Sequence, residues 1–349
     1  MFFYKGVEEL FDSLADLVKE FRSNNFVCMR TDNAHLYGQV FVIGLPRSGT
    51  SLLYKTMVSH PDISLFYESD IFYSWPSWLG GIQSKQWGRK LDLWNGHLSR
   101  HGFADSLDDF PACNKREAMT YLWELQYQAK REGSQPMIVG EKSAMYGAHL
   151  KKLSDAFPEA KFVILHRDLV EVFDSVKRAA NGGDSYFSTK GLFYEYLGDM
   201  ARMLAGVNKL KQMGRSVIEI DFTELVTNRR QVSQSLCEFL NIDYSELMIT
   251  GEGFDETVIP VGTHHMGVKK GEIQSEGRGE QVSVGWIARV NRYQRMWLGE
   301  TEGIPKIRER MECWIMYKLS KLRLGLKTGV YWLIPERFIT SYRARKNKK

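Results

Sequence analysis

The apolar positions of the chain alternate between strand-like runs and helix-like spacing. Residues 4–22 set Val7, Leu10, Phe11, Leu14, Leu17, Val18 and Phe21 on one helical face and predict an amphipathic first helix. The run QVFVIG at 39–44 is β-branched and apolar, as a strand covered on both faces requires; it stops at Gly44-Leu45-Pro46, and a helix over 50–59 follows, ended by His60-Pro61. The same unit recurs three times. MIVG (137–140) precedes a helix over 145–156, KFVILH (161–166) a helix over 168–179, and SVIEI (216–220) a helical stretch over 222–240. Strands that alternate with helices imply right-handed crossovers, so the predicted fold is α/β: a parallel sheet of four to five strands flanked by helices. Residues 72–136, rich in Trp, Gly and charge, read as an insertion of helices and loops, and the Gly-rich stretch 250–282 as a long late loop of the kind that serves as a lid.

Composition narrows the class. With 349 residues and 43% hydrophobic content the chain supplies a sizeable core. Cys28, Cys113, Cys237 and Cys313 lie far apart with no CxxC or close Cys/His spacing, which suggests neither a disulfide framework nor a zinc site. No apolar run approaches the roughly 18 residues of a membrane span, and acidic residues interrupt the N-terminal segment, so a cytoplasmic protein is expected. The net charge of +5 is local: ten Lys/Arg against Glu336 in 318–349 give the tail +9 and leave the rest of the chain at −4. Nucleic acid is therefore not the expected partner. Residues 1–300 read as one domain and 301–349 as a basic, aromatic, helical C-terminal extension, compatible with peripheral contact to an anionic membrane.

The chemistry concentrates at Gly44-Leu45-Pro46-Arg47-Ser48-Gly49-Thr50-Ser51, between a buried strand and a helix, where backbone N–H groups and the positive end of the helix dipole form an anion site. The segment is close to GxxxxGK[ST], but Thr50 stands at the lysine position and Arg47 supplies a cation inside the loop instead. A P-loop kinase would lose the lysine that reaches the β- and γ-phosphates, so a different phosphate-bearing donor is indicated. PRSGTSLL at 46–53 resembles the 5′-phosphosulfate loop, P-[RK]-S-G-T-[ST], of the sulfotransferase superfamily, in the arginine form of tyrosylprotein and many bacterial members. The resemblance implies 3′-phosphoadenosine 5′-phosphosulfate (PAPS) as donor and 3′-phosphoadenosine 5′-phosphate (PAP) as product. It implies that Arg47 contacts the transferring sulfonate and that Ser48, Gly49, Thr50 and Ser51 hold the 5′-phosphate. VILHRDLVEVFDS resembles the family's second signature, with Arg167 at a strand end and Ser175 eight residues on, both directed to the 3′-phosphate.

Four further assignments follow from that resemblance. Glu68, at the distance from the loop arginine where tyrosylprotein sulfotransferases carry a glutamate, is the expected base. Lys142, in GEKSAMY, is the expected second cation on the sulfonate, although the proline that relatives carry after this motif is Ala144 here. His97 and His101 are reserve bases, because small-molecule members use a histidine. Lys269, Lys270 and Arg278 of the late loop would close over the adenosine, and no metal is required. Tyr73, Trp75, Trp78, Trp87 and Trp94 would give the acceptor pocket aromatic walls suited to a small metabolite or lipid alcohol. A P-loop nucleotide kinase, or a non-catalytic nucleotide-binding module docked through its basic tail, are the alternatives.

Overall fold

The computed structural model describes residues 37–69, 71–74, 99, 115–128, 136–181, 192–252, 254–255 and 258–259. Its strands are β1 (Gly38–Gly44), β2 (Ile63–Tyr67), β3 (Ile138–Lys142), β4 (Lys161–His166) and β5 (Val217–Asp221). All pair in parallel, in the order β2-β3-β1-β4-β5. The helices are α1 (Thr50–Val58), α2 (Ile71–Ser74), α3 (Lys115–Gln128), a 3₁₀ turn (Ala144–His149) running into α4 (Leu150–Ala156), α5 (Leu169–Asn181), α6 (Leu192–Gln212), α7 (Phe222–Thr227), α8 (Arg229–Leu240) and α9 (Leu247–Thr250).

Side chains alternate across a strand, so the apolar runs give the sheet two buried faces. Phe41, Ile43, Val139, Phe162 and Ile164 pack with Trp123 of α3, Leu153 of α4, Val172 of α5 and Leu210 of α6. Val40, Val42, Val163 and Leu165 pack on the other side with Leu53 and Met57 of α1, Leu225 of α7 and Leu236 of α8. Phe41 is central to the first face, its ring 5.4 Å from Trp123, 5.7 Å from Phe157 and stacked on Phe162 at 5.6 Å. Its truncation to Ala would cost about 3–5 kcal/mol.

The two faces follow from the winding. Connections β2 to β3, β3 to β4 and β4 to β5 all step in one direction and lay α3, α4, α5 and α6 on the first face. The connection β1 to β2 steps the opposite way and lays α1 on the second. Right-handed crossovers require this split. The central neighbours β1 and β4 therefore send their chains in opposite directions, which opens a crevice at their carboxyl ends, where such sheets take ligands.

The structure departs from the sequence expectations in five places. ISLFY, to which the sequence pattern assigns no element, is the edge strand β2. The helix expected over 145–156 starts as a 3₁₀ turn capped by Ser143. Helix 222–240 divides at Asn228, which serves as C-cap of α7 and N-cap of α8. Lys142 is the last residue of β3 rather than lying beyond the strand, and α6, 21 residues long, was not anticipated. The N-terminal helix, most of the insertion, most of the late loop and the basic extension fall outside the described residues. Among those described, no helix is long and apolar enough to cross a membrane.

Candidate active site

Three of the four junctions at the carboxyl edge of β1, β3, β4 and β5 are closed by a side chain. Ser143 accepts from the Met145 amide, Asp168 from those of Val170 and Glu171, and Asp221 from those of Thr223 and Glu224. The junction after β1 is different. Its N-cap is Gly49, which offers no side-chain hydrogen bond, and the first turn of α1 contains no acid. The first-turn amides of Thr50 and Ser51 precede any intrahelical acceptor and lie at the positive end of the dipole, so this helix start suits an anion.

The loop backbone is held for that purpose. Gly49 has φ 99° and Arg47 has φ 67°, both left-handed, and the Ser48 amide donates to the Leu45 carbonyl at 3.0 Å. Gly49 has no substitute, because a Cβ there would meet the Phe222 ring at 2.4 Å as well as the φ penalty. Ser48 is 1% exposed, and its hydroxyl has no protein partner. Such an orphan is expected where a ligand supplies the missing bond.

Across the crevice, Arg167 follows β4 and Ser175 lies in α5. The structure brings both to the loop: Arg47 Nε donates to Ser175 Oγ at 3.1 Å, and Arg167 Nη1 donates to the Arg47 carbonyl at 3.3 Å. Arg167 Nε also donates to Glu171 at 3.2 Å, and its guanidinium lies over the Phe222 ring, 4.0 Å from the centroid. Burial lowers the Arg167 pKa against the pull of Glu171, yet a guanidinium remains charged. Phe222 therefore supports both halves, beneath Gly49 and against Arg167.

The second group sits at the carboxyl ends of β2 and β3, where Tyr67 and Lys142 are paired in register. Lys142 has a 2% exposed side chain and forms an ion pair with Glu68, whose side chain is 35% exposed. Its ammonium also lies 4.2 Å from the centroid of the Tyr67 ring. Burial disfavours the ammonium, but Glu68 and Tyr67 outweigh it, so Lys142 stays protonated above the ordinary lysine range. Burial, with Glu68 adding to it and Lys142 opposing, raises the Tyr67 phenol. The Tyr67 hydroxyl shares a 2.6 Å hydrogen bond with Ser51 Oγ, which ties this pair to the first turn of α1. Glu68 has φ 52°. Of the non-glycine residues with left-handed φ among those described, Arg47 and Glu68 are at this edge, and Asn241 is an ordinary helix C-cap. Strain of about 1–3 kcal/mol per residue persists where neighbours over-determine it, commonly at functional sites.

A model of the Sulfotransferase family matches residues 39–246, more than half of the chain and all of the sheet but Gly38. The chain belongs to the sulfotransferase family. A Caenorhabditis briggsae protein named as a protein-tyrosine sulfotransferase is 22% identical to it over 212 residues, 60% of this chain and 68% of the relative. Among solved structures, the sulfotransferase domain of the Synechococcus PCC 7002 olefin synthase is similar at 14% identity and TM-score 0.45, covering 79% of this chain and 93% of that domain. A mouse sulfotransferase complexed with PAP is similar at 11% identity and TM-score 0.39, covering 75% and 83%.

In this sulfotransferase the structure places Arg47, Ser48, Gly49, Thr50, Ser51, Arg167 and Ser175 around one crevice, with Glu68 and Lys142 joined beside it. Lys269, Lys270, Arg278, His97 and His101 lie outside the described residues. Two details differ from the expected division of labour. Arg47 reaches Ser175, the residue expected at the 3′-phosphate, and the Ser51 hydroxyl is engaged by Tyr67. Sequence reasoning missed Tyr67 and Phe222, whose roles arise from strand pairing and loop packing that no local pattern announces.

Proposed function

We propose that this sulfotransferase moves a sulfonate from PAPS to a hydroxyl, or an amine, of a small-molecule or lipid-like acceptor by in-line displacement, with PAP as second product and Glu68 as base. The observation that carries this reading is the meeting of an uncapped helix start and two guanidiniums with the buried Lys142 and its Glu68 partner at one sheet edge. The residues suit the donor: the orphan Ser48 hydroxyl and the Thr50 and Ser51 amides for a 5′-phosphate, Arg167 and Ser175 for a 3′-phosphate. PAPS supplies a sulfonate whose S–O bond to the 5′-phosphate breaks as the bond to the acceptor oxygen forms. Arg47 reaches the sulfonyl oxygens by releasing Ser175, and Lys142 neutralises charge there from the other side. Glu68 takes the acceptor proton while Lys142 serves as its counter-ion. Fixed cations of this kind contribute about 10²–10³ each in rate.

In this reading Lys269, Lys270 and Arg278 close the donor pocket, and Tyr73, Trp75, Trp78, Trp87 and Trp94 line the acceptor side. The protein works in the cytoplasm, with its basic extension free to touch an anionic membrane. The name of the Caenorhabditis briggsae relative makes a protein tyrosine hydroxyl the second acceptor class. A kinase reading is weaker because Thr50 occupies the lysine position. Calorimetry with PAP against ATP, followed by labelled PAPS with a metabolite extract and with tyrosine peptides, tests the proposal by mass spectrometry. PAP heat without ATP heat, and products heavier by one sulfonate, are expected. ATP preferred over PAP would overturn it, and PAP binding without any transfer would leave a non-catalytic binding module.

A further inference from the structure

The carboxylate of Glu141 has no part in these steps, and its surroundings are unusual for an acid. It is 1% exposed and sits in β3 one residue before Lys142, paired in register with Phe41 and Phe66. Strand alternation sends it to the face opposite Lys142. Ser69 Oγ donates to its Oε1 at 2.7 Å and the Tyr146 hydroxyl to its Oε2 at 2.7 Å. Each hydroxyl in turn accepts from a backbone amide, Ser69 from Ile71 at 3.3 Å and Tyr146 from Phe72 at 3.2 Å. Both relays run from amide to hydroxyl to carboxylate. Only a group that accepts at both oxygens can end them, so an amide in its place would reverse one arm. Burying a carboxylate costs several kcal/mol, which an apolar residue would avoid.

The relays fix the chain just beyond the proposed base. Glu68 lies between its own amide bond to the Lys142 carbonyl, at 2.8 Å, and the Ser69 bond to Glu141. Its left-handed φ of 52° is held from both sides. We propose that Glu141 is the positioning residue for Glu68: by holding Ser69 directly and the start of α2 through Ser69 and Tyr146, it keeps the Glu68 carboxylate on Lys142 beside the donor crevice. The inference rests on the reading of Glu68 as base. The hydrogen bonds of Glu141 go to Ser69 and Tyr146, neither of which is placed in the donor site, so its loss should slow chemistry and spare donor binding.

The test compares Glu141→Gln and Tyr146→Phe with wild type and with Glu68→Gln, singly and combined. PAP affinity is read by calorimetry, kcat and KM by labelled-PAPS turnover on the acceptor found in the extract and, with none added, on water, and residues 71–72 by amide hydrogen exchange. The expected result is a kcat loss of about 30-fold for Glu141→Gln, with PAP affinity and the KM for PAPS within about twofold. That loss should vanish in the Glu68→Gln background, and exchange at Ile71 and Phe72 should rise at least about tenfold. Glu141→Asp should recover part of the rate. A kcat within twofold of wild type, or an equal loss when Glu68 is already Gln, overturns the positioning role. If Glu68→Gln itself turns over like wild type, or wild type does not turn over PAPS, the base reading has failed. Exchange then judges the clamp alone, and unchanged protection at residues 71–72 in Glu141→Gln overturns that too. Should Glu141→Gln not fold, Tyr146→Phe keeps the carboxylate, removes one arm and carries the same measurements.

Discussion

The two halves of the carboxyl edge are built on opposite electrostatic plans. Around β1, β4 and β5, Arg47 donates to the Ser175 hydroxyl and Arg167 to the Arg47 carbonyl, with Glu171 as the acid hydrogen-bonded to Arg167. Two guanidiniums beside an uncapped helix start suit an anion. Around β2 and β3, Lys142 is matched by Glu68, and the Glu141 carboxylate is met by two hydroxyl donors. That side is already compensated. An anion-ready helix start is completed by an anionic ligand and should govern donor affinity, whereas a compensated pair gains little from an added charge and should govern rate through geometry.

The sharpest way to break this contrast is Lys142→Ala. It removes a buried ammonium and leaves Glu68 without its counter-ion, and kcat should fall about 10³-fold, roughly 4 kcal/mol, with PAP affinity little changed. Single-turnover transfer from labelled PAPS and calorimetry with PAP measure the two quantities. Equal losses in both would show that the sides are not separable.

Gly49→Ala should do the reverse. The added methyl meets Phe222 at 2.4 Å in a backbone conformation that alanine resists, so the loop and the ring beneath Arg167 must both shift. A loss of about 100-fold in PAP affinity is expected, about 3 kcal/mol, with a lower Tm. Arg167→Ala should follow at about 30-fold, since it deletes a charge-assisted contact and leaves Phe222 uncovered, while kcat at saturating PAPS stays within a few-fold. A titration in which Arg167→Ala binds PAP like wild type would remove Arg167 from the donor site.

The contrast also explains what the sequence makes legible. The donor side is local: a run buried on both faces, QVFVIG, leads into a loop whose residues are contiguous, and KFVILH leads into Arg167 and Ser175 within nine residues. Its chemistry can be read along the chain. The other side is assembled by pairing. Lys142 and Glu68 are 74 residues apart and meet because Tyr67 and Lys142 share a register that no residue spells out. Resemblance alone singled them out. β2 escaped because a five-residue edge strand after His60-Pro61 gives too short a pattern to distinguish from loop. Glu141 read as a neighbour of Lys142, and its partners Ser69 and Tyr146 are visible only once the strand and the 3₁₀ turn are in place.

Acid should separate the two halves by a smaller effect. His149 ends the 3₁₀ turn that hangs from β3, and burial, together with Lys152, Lys115 and Arg202, pushes its pKa from 6.5 down to about 4. The folded state therefore holds it neutral while the unfolded chain takes up a proton, so stability is lost as pH falls from 6.5 towards 4, by about 2 kcal/mol at pH 5. On the donor side Glu219, next to β4, is lowered from 4.5 to about 2, chiefly by its 2.6 Å hydrogen bond to His166 and against burial, with Lys211 adding to it. Its contribution is present above 4.5 and is lost only as pH falls towards 2, and partial exposure keeps it small. Of these two groups, His149 on the β3 side is therefore the one whose stability contribution is lost between pH 7 and pH 5. Urea unfolding at the two pH values should show that drop in wild type and in Glu219→Gln, and a much flatter response in His149→Gln. A drop that survives His149→Gln would assign the acid sensitivity elsewhere and dissolve this last distinction between the halves.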